Sequence, residues 1–345
     1  MGTVSATIPK EQEAVGWLGT VSPITLEEEE AVARFYAGFE HEARPVEFWR
    51  HRLRLWWRDN PAFCEDWPLG MKMTAGGRIV GVIAAIPTRL WLAGRETTAA
   101  SLTTWRVEKS HRSGSIGMFE AVLAVHALRV VIDGTPTPSV VPILNRFGFE
   151  HPRKHFASTR FVCNWWRMFK RSYGGRQVAL TSSCIYLDAR LAAAGEVDSL
   201  VDDLWARTRS QFDMVAVRDS AYLGWYCREG RSPGRFGVVV TDHAGRATAV
   251  AIGLDMGGGV AWLVDVWCDF NHSAAAAEVI ARSRWHASRL GFHSLCVPHY
   301  DPAVAAVCGA IRGGDIPASV FFKSPHRRNK SHRSYWSAAT GDFGV

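Results

Sequence analysis

Apolar and polar positions along this chain follow first one period and then another, and the changes of period divide it into elements. Residues 1–24 follow neither period and hold Gly, Thr, Ser and Pro, which predicts a loose arm. From Thr25 the pattern becomes helical: Thr25 has Glu28 three residues on, and Glu27 to Glu30 put acid in the first turn, where it suits the helix dipole. That helix continues to Phe39, and an aromatic, basic helix follows from Pro45 to about Arg58, stopped by Asp59-Asn60-Pro61. Strand composition then takes over. Gly70 to Thr74 and Arg78 to Ile86 flank Ala75-Gly76-Gly77 as a hairpin, and Leu90 to Leu92 and Thr97 to Val107 make further strands around Ala93-Gly94. Ile116, Phe119, Val122, Leu123, Val125 and Leu128 restore the helical period over 116–129. A short strand at Arg129 to Ile132, a loop from Asp133 to Pro138, a short helix from Val140 to Arg146 ended by Gly148, and a strand from Phe156 to Cys163 complete the first unit.

After a basic, Ser- and Gly-rich linker the same order returns. Asp202 to Gln211 and Asp219 to Arg228 read as helices, Gly237 to Thr241 and Ala247 to Leu254 as a hairpin, and Val260 to Cys268 as a strand. Ala274 to Leu290 reads as a helix, Ser294 to Val297 as a strand, Ala303 to Ile311 as a short helix and Ser319 to Lys323 as a last strand. Two copies of one α/β layout with mixed sheets are therefore predicted: an arm at 1–24, a first domain at 25–168, a linker at 169–184 and a second domain at 185–345.

The copies differ at one place. In the first, the strand ending at Val107 meets its helix through His111-Arg112-Ser113-Gly114-Ser115-Ile116-Gly117. Small residues feeding a helix N-terminus present backbone N–H groups at the positive end of the dipole, a setting for phosphate or pyrophosphate, and Arg112 adds a charge-assisted contact. The same residues also suit an ordinary strand–turn–helix junction. In the second copy Asp269-Phe270-Asn271-His272-Ser273 stands there instead.

Composition narrows the class. At 345 residues, 47% hydrophobic and 21% charged, the chain has material for two soluble cores. Its 15 tryptophans cluster at Trp49, Trp56, Trp57 and at Trp165, Trp166 and are read as core or cleft residues rather than a nucleic-acid platform. The formal net charge of +7, partly carried by Lys323 to Arg333, suits an anionic cosubstrate without identifying one. The 7 cysteines form no CxxC pair, which argues against a metal site or disulfide framework and points to reduced thiols in a cytoplasm. No apolar run approaches membrane-spanning length.

The order of elements, the R-x-x-(G/S)-x-G turn at Arg112 to Gly117 and the short helix ending in Phe147-Gly148-Phe149 resemble the GCN5-related N-acetyltransferase (GNAT) superfamily, and the two copies resemble its tandem members. The resemblance implies acetyl-CoA or another acyl-CoA as cosubstrate and a small-molecule or peptide amine as acceptor. It places pantetheine contacts at Arg106, Val107 and Glu108. It places pyrophosphate contacts at Arg112, Ser113, Gly114, Ser115, Ile116, Gly117 and Met118. Three family features are missing. Thr103 and Thr104 stand where a carboxylate base is common, Leu144 where a tyrosine acid is common, and Thr137 where an asparagine is usual.

Candidate catalytic groups are therefore sought elsewhere. Glu108 is the nearest carboxylate, with a solvent-facing strand end as its other reading; His111 is a candidate proton carrier or a plain turn residue beside the cofactor. Asp265 lies inside the apolar strand Trp262 to Trp267, where a carboxylate must be paired or functional. It is read either as a substrate or base residue or as the partner of an arginine such as Arg218. Tyr222, Tyr226 and Tyr300 are conceivable acids and also packed aromatics with bonded tips. Two rival functions share the layout: an aminoacyl-tRNA-dependent transferase of the peptidoglycan-bridge type, and a non-catalytic binding protein.

Overall fold

The computed structural model describes residues 19–40, 42–134, 136–153, 156–163, 183–187, 195–227, 234–271, 273–308, 314–316, 320–325 and 334–337. Trp165 and Trp166 lie outside them, as do most of the 1–24 arm and of the basic run after Lys323.

In chain order the strands are β1 (Thr20–Pro23), β2 (Gly70–Ala75), β3 (Arg78–Leu92), β4 (Arg95–Val107), β5 (Val131–Asp133), β6 (Glu150–Arg153), β7 (Phe156–Val162) and β8 (Ser183–Leu187). There follow β9 (Met214–Ala216), β10 (Arg235–Thr241), β11 (Ala247–Asp255), β12 (Val260–Cys268), β13 (Ser294–Pro298), β14 (Gly314–Ile316), β15 (Val320–Lys323) and β16 (Ser334–Tyr335). The helices are α1 (Glu29–Ala37), α2 (Val46–Trp56), α3 (Ser115–Val125), α4 (Val141–Arg146), α5 (Gly195–Thr208), α6 (Ser220–Cys227), α7 (Ser273–Arg289) and α8 (Pro302–Cys308).

Two sheets result. The first runs β1-β2-β3-β4-β5-β15-β6, with β9 added to β3 and β16 to β9; the second runs β14-β7-β13-β12-β11-β10-β8. The strand predicted to complete the first copy, β7, instead pairs with β13 of the second sheet, and the predicted last strand of the second copy, β15, sits between β5 and β6 of the first. Each copy thus donates a late strand to the other. Hydrophobic pattern sets which face a strand buries, but not which sheet receives it.

Several boundaries also move. Thr20–Pro23 is a strand on β2 rather than part of a loose arm. The predicted strands at 78–86 and 90–92 are one fifteen-residue strand, β3, that passes through Pro87. The missing N–H of Pro87 costs nothing there. On one side β3 pairs with β4; on the other β2 stops at Gly70–Ala84 and β9 starts at Leu90–Ala216. The Pro87 carbonyl takes its bond from Asn60 Nδ2 at 2.9 Å. Helix α3 ends at Val125, not Arg129.

One apolar core runs through both halves, from Tyr36, Trp49, Trp56 and Trp57 under α1 and α2 to Val264, Trp267 and Tyr335 of the second half. A smaller core lies under α3, where Met118, Phe119 and Val122 pack on Met73, Ile83, Leu102 and Val107. The two faces of β4 therefore belong to different cores.

Candidate functional site: a split between strands β4 and β5

β4 and β5 run parallel and pair through Ala100–Val131, Ser101–Ile132 and Leu102–Asp133. There β5 ends, while β4 continues to Val107. A bulge accompanies the split: Thr103 pairs with Ala84 and Arg106 with Val82, so Thr104 and Trp105 together face Ile83. Thr104 takes φ 48°, a costly conformation for a β-branched residue. Tyr36, fully buried, holds it there: Thr104 Oγ1 donates to the Tyr36 hydroxyl at 2.8 Å, and that hydroxyl donates to the Thr104 carbonyl at 3.2 Å.

The bulge resets the direction of the backbone groups. Before it, the Ala100 N–H turns to Val130 O; after it, the Glu108 N–H turns to Val80 O on β3. Counting back from Glu108 by strand alternation, the backbone of Trp105 and Val107 faces away from β3, along the split. The split forms a cleft of 280 Å³ whose walls include Leu102, Thr103, Trp105, Phe119, Asp133 and Thr137.

At the open end of the cleft, Lys109–Gly114 coil as a 3₁₀ helix that runs straight into α3. This replaces the predicted glycine turn. The Ser115 N–H bonds to Arg112 O, and Ser115 Oγ donates to the same carbonyl at 2.7 Å. Gly117 has no positive φ to satisfy, and a Cβ placed on it would meet nothing within 4 Å. Fold packing therefore does not demand glycine there. What its bare backbone leaves is open space at the first turn of a helix. Arg112, with its side chain 60% exposed, is 3.9 Å from Glu40.

The other expected site residues are placed as follows. The Arg106 side chain lies on the opposite face, over Trp49 at 4.9 Å and bonded to Glu42 at 2.8 Å. Burial works to raise the Glu42 carboxyl, but the Arg106 bond and charge outweigh it and hold it low. Glu108 is held by both terminal nitrogens of Arg78, which lowers its pKa. His111 Nδ1 lies 2.9 Å from Ser110 Oγ and 3.8 Å from Glu108. A shallow depression of 640 Å³ between Phe35, Phe39, Lys109 and Ser110 carries Glu40 and Glu108 on its rim.

Asp265 is in the other sheet. It is buried with Arg218, whose Nε donates to it at 2.9 Å; Arg218 also bonds Ser337 at 2.9 Å and the Ala216 carbonyl. Glu108 and His111 are therefore brought together, and Asp265 lies apart from both. Asp133 was missed, because a three-residue strand before Gly134 and two prolines reads as loop.

The second copy has the same split. β12 pairs with β13 only as far as Trp262–Cys296 and then bulges at Val264, where Ile252 pairs with Asp265 and Gly253 with Leu263. The Tyr300 hydroxyl donates to Leu263 O at 3.0 Å, and the Tyr335 hydroxyl reaches Val266 O and Asp265. At the turn, the Phe270 N–H takes Gln211 Oε1 at 3.1 Å and the Asn271 N–H takes Asp269 Oδ1 at 3.0 Å. In the second copy, carbonyls of the bulged strand and N–H groups of the turn are therefore bonded internally.

No protein-family model matches the sequence, and no curated protein matches it. Solved structures do. N-myristoyltransferase from Saccharomyces cerevisiae, in a structure with bound myristoyl-CoA, aligns over 97% of this chain and 90% of its own, at a TM-score of 0.56 and 14% identity. A GCN5-related N-acetyltransferase from Kribbella flavida aligns over 88% and 71%, at 0.58 and 13%. A probable N-acyltransferase of unknown function from Enterococcus faecalis V583 aligns over 87% and 71%, at 0.58 and 12%. The chain has the GNAT fold, in two copies. In this GNAT pair the first copy carries a cleft at its split, and in the second tyrosine hydroxyls bond the bulged strand. Among the described residues no helix is long and apolar enough to cross a membrane, and no group of three His, Cys, Asp or Glu is placed to hold a metal ion.

Proposed function

We propose that the protein is an acyl-CoA-dependent N-acyltransferase, with acetyl as the acyl group and an amine as acceptor. The observation that carries this reading is the cleft along the first split, with open space over Gly117 at its helix turn, whereas in the second copy Tyr300 and Tyr335 bond carbonyls of the corresponding strand. The solved structures with this fold, one of them with myristoyl-CoA bound, support the cosubstrate class.

The residues present fit such a cosubstrate. The open space over Gly117 admits a pyrophosphate to the helix N-terminus, and exposed Arg112 supplies a cation beside it. The Trp105 and Val107 backbone groups offer strand-like bonds to the amides of a pantetheine arm. The thioester supplies an activated acyl group, and a backbone N–H of β4 aimed into the split stabilises negative charge that builds on its carbonyl oxygen. Leu144, fully buried, leaves no hydroxyl acid at its position.

Titration of the protein with CoA and acetyl-CoA, followed by calorimetry and thermal shift, tests the reading. At a hundred times its dissociation constant a bound ligand stabilises the fold by about 2.7 kcal/mol. Gly117→Glu fills the open space with a carboxylate and is expected to abolish binding while the apo protein unfolds as before. Absence of binding at millimolar CoA and acetyl-CoA overturns the reading.

A further inference from the structure

The described wall of the cleft holds one carboxylate. Among the described residues that line the split, Asp133 alone is acidic. It is also at the decisive place. Leu102–Asp133 is the last pair before β4 and β5 part, so Asp133 marks the closed end of the split, and the Arg112–Gly117 coil lies at the open end. From Thr103 to Val107, β4 spans about 13 Å. An arm anchored at the coil and laid along β4 therefore presents its reactive end to Asp133 and Thr103. On its other side Asp133 pairs with Phe321 of β15, which fixes its backbone between two strands. The position is thus rigid as well as polar.

Resting on the acyltransferase reading, we propose that Asp133 is the catalytic base: it binds the acceptor as an ammonium and takes its proton. The bound ammonium first gives one proton to Asp133, which passes it to water. The neutral nitrogen then forms the new N–C bond as the C–S bond breaks, and the second proton travels through Asp133 to the departing sulfur. The products are an amide and a free thiol, and Asp133 is again a carboxylate. One side chain so covers both proton transfers, which accounts for a cleft without a carboxylate on β4 and without a tyrosine at Leu144. The acceptor class follows: a primary amine that arrives protonated.

Two CoA thioethers test this without knowledge of the acceptor. S-(3-aminopropyl)-CoA places an ammonium at the end of the arm, and S-propyl-CoA lacks it. Calorimetry on the wild-type protein is expected to show the amine binding at least tenfold tighter, a charge-assisted bond being the difference. In Asp133→Asn that ratio is expected to fall to near one, and Asp133→Glu is expected to restore part of it. Equal affinities in the wild type overturn the proposal even if no variant folds, as does a preference that survives Asp133→Asn. If neither thioether nor CoA binds the wild type, the acyl-CoA reading itself falls, and this proposal with it.

Discussion

His126 closes α3 with a fully buried ring against Trp67, at 5.2 Å between centroids, and neither ring nitrogen has a hydrogen-bond partner. Burial, with the Arg129 charge adding to it, pushes its pKa from 6.5 down to about 3. Between those values the unfolded chain binds a proton that the folded chain refuses. Stability is therefore whole above pH 6.5 and drains as the pH falls toward 3, at about 1.4 kcal/mol per pH unit for this one group. Urea unfolding at pH 7 and pH 5 is expected to show the loss, and His126→Phe to reduce it by that increment. Asp265, by contrast, is a buried charge that has its partner. Asp265→Ala would strand Arg218 in the core and is expected to cost about 3–5 kcal/mol by chemical denaturation. This pairing was legible in the sequence, since an acid inside an apolar strand needs a cation and Arg218 was within reach of the layout. Asp133 was not, because its meaning comes from register with Leu102, thirty-one residues away, and from where β5 stops.

At the scale of elements, period and turn chemistry located most helices and hairpins. The failures have physical causes. β1 has four residues, too few to show alternation, and is defined by its partner β2. β3 looked broken because Pro87 usually ends a strand, and only the gap between β2 and β9 shows why it does not. The turn at Arg112 was found by its small residues, but its 3₁₀ form was not, since Gly and Ser permit several turns alike. Close packing of the sheet also makes a prediction. A Cβ on Gly253, in β11 opposite the β12 bulge, would lie 2.0 Å from the Phe236 ring. Gly253→Ala is expected to destabilise the protein by about 1–3 kcal/mol, measured by urea denaturation, and Phe236→Leu in the same chain to relieve part of it.

For the whole molecule, tandem duplication was legible and the exchange of strands was not. Two repeats announce themselves by order. Which repeat keeps a given strand is decided by long-range pairing, to which composition is blind. The exchange makes the second copy a part of the first copy's sheet. Residues 1–168 expressed alone should fail to give a cooperative unfolding transition, because β5 and β6 lose the strand between them and β7 has no sheet to join. Co-expression with residues 169–345 should restore the transition.

The placement of β15 also sets a clock on synthesis. Arg153 ends β6 and Lys323 ends β15, and 170 residues separate them (323 − 153). At ribosomal speeds the first sheet waits roughly 10–30 s with an unfilled slot between β5 and β6. Through that interval two strand edges stand unpaired beside the nascent cleft, open to any other extended segment. A premature stop anywhere before Val320 would leave the slot empty for good, so damage late in the message disables a cleft written near its start.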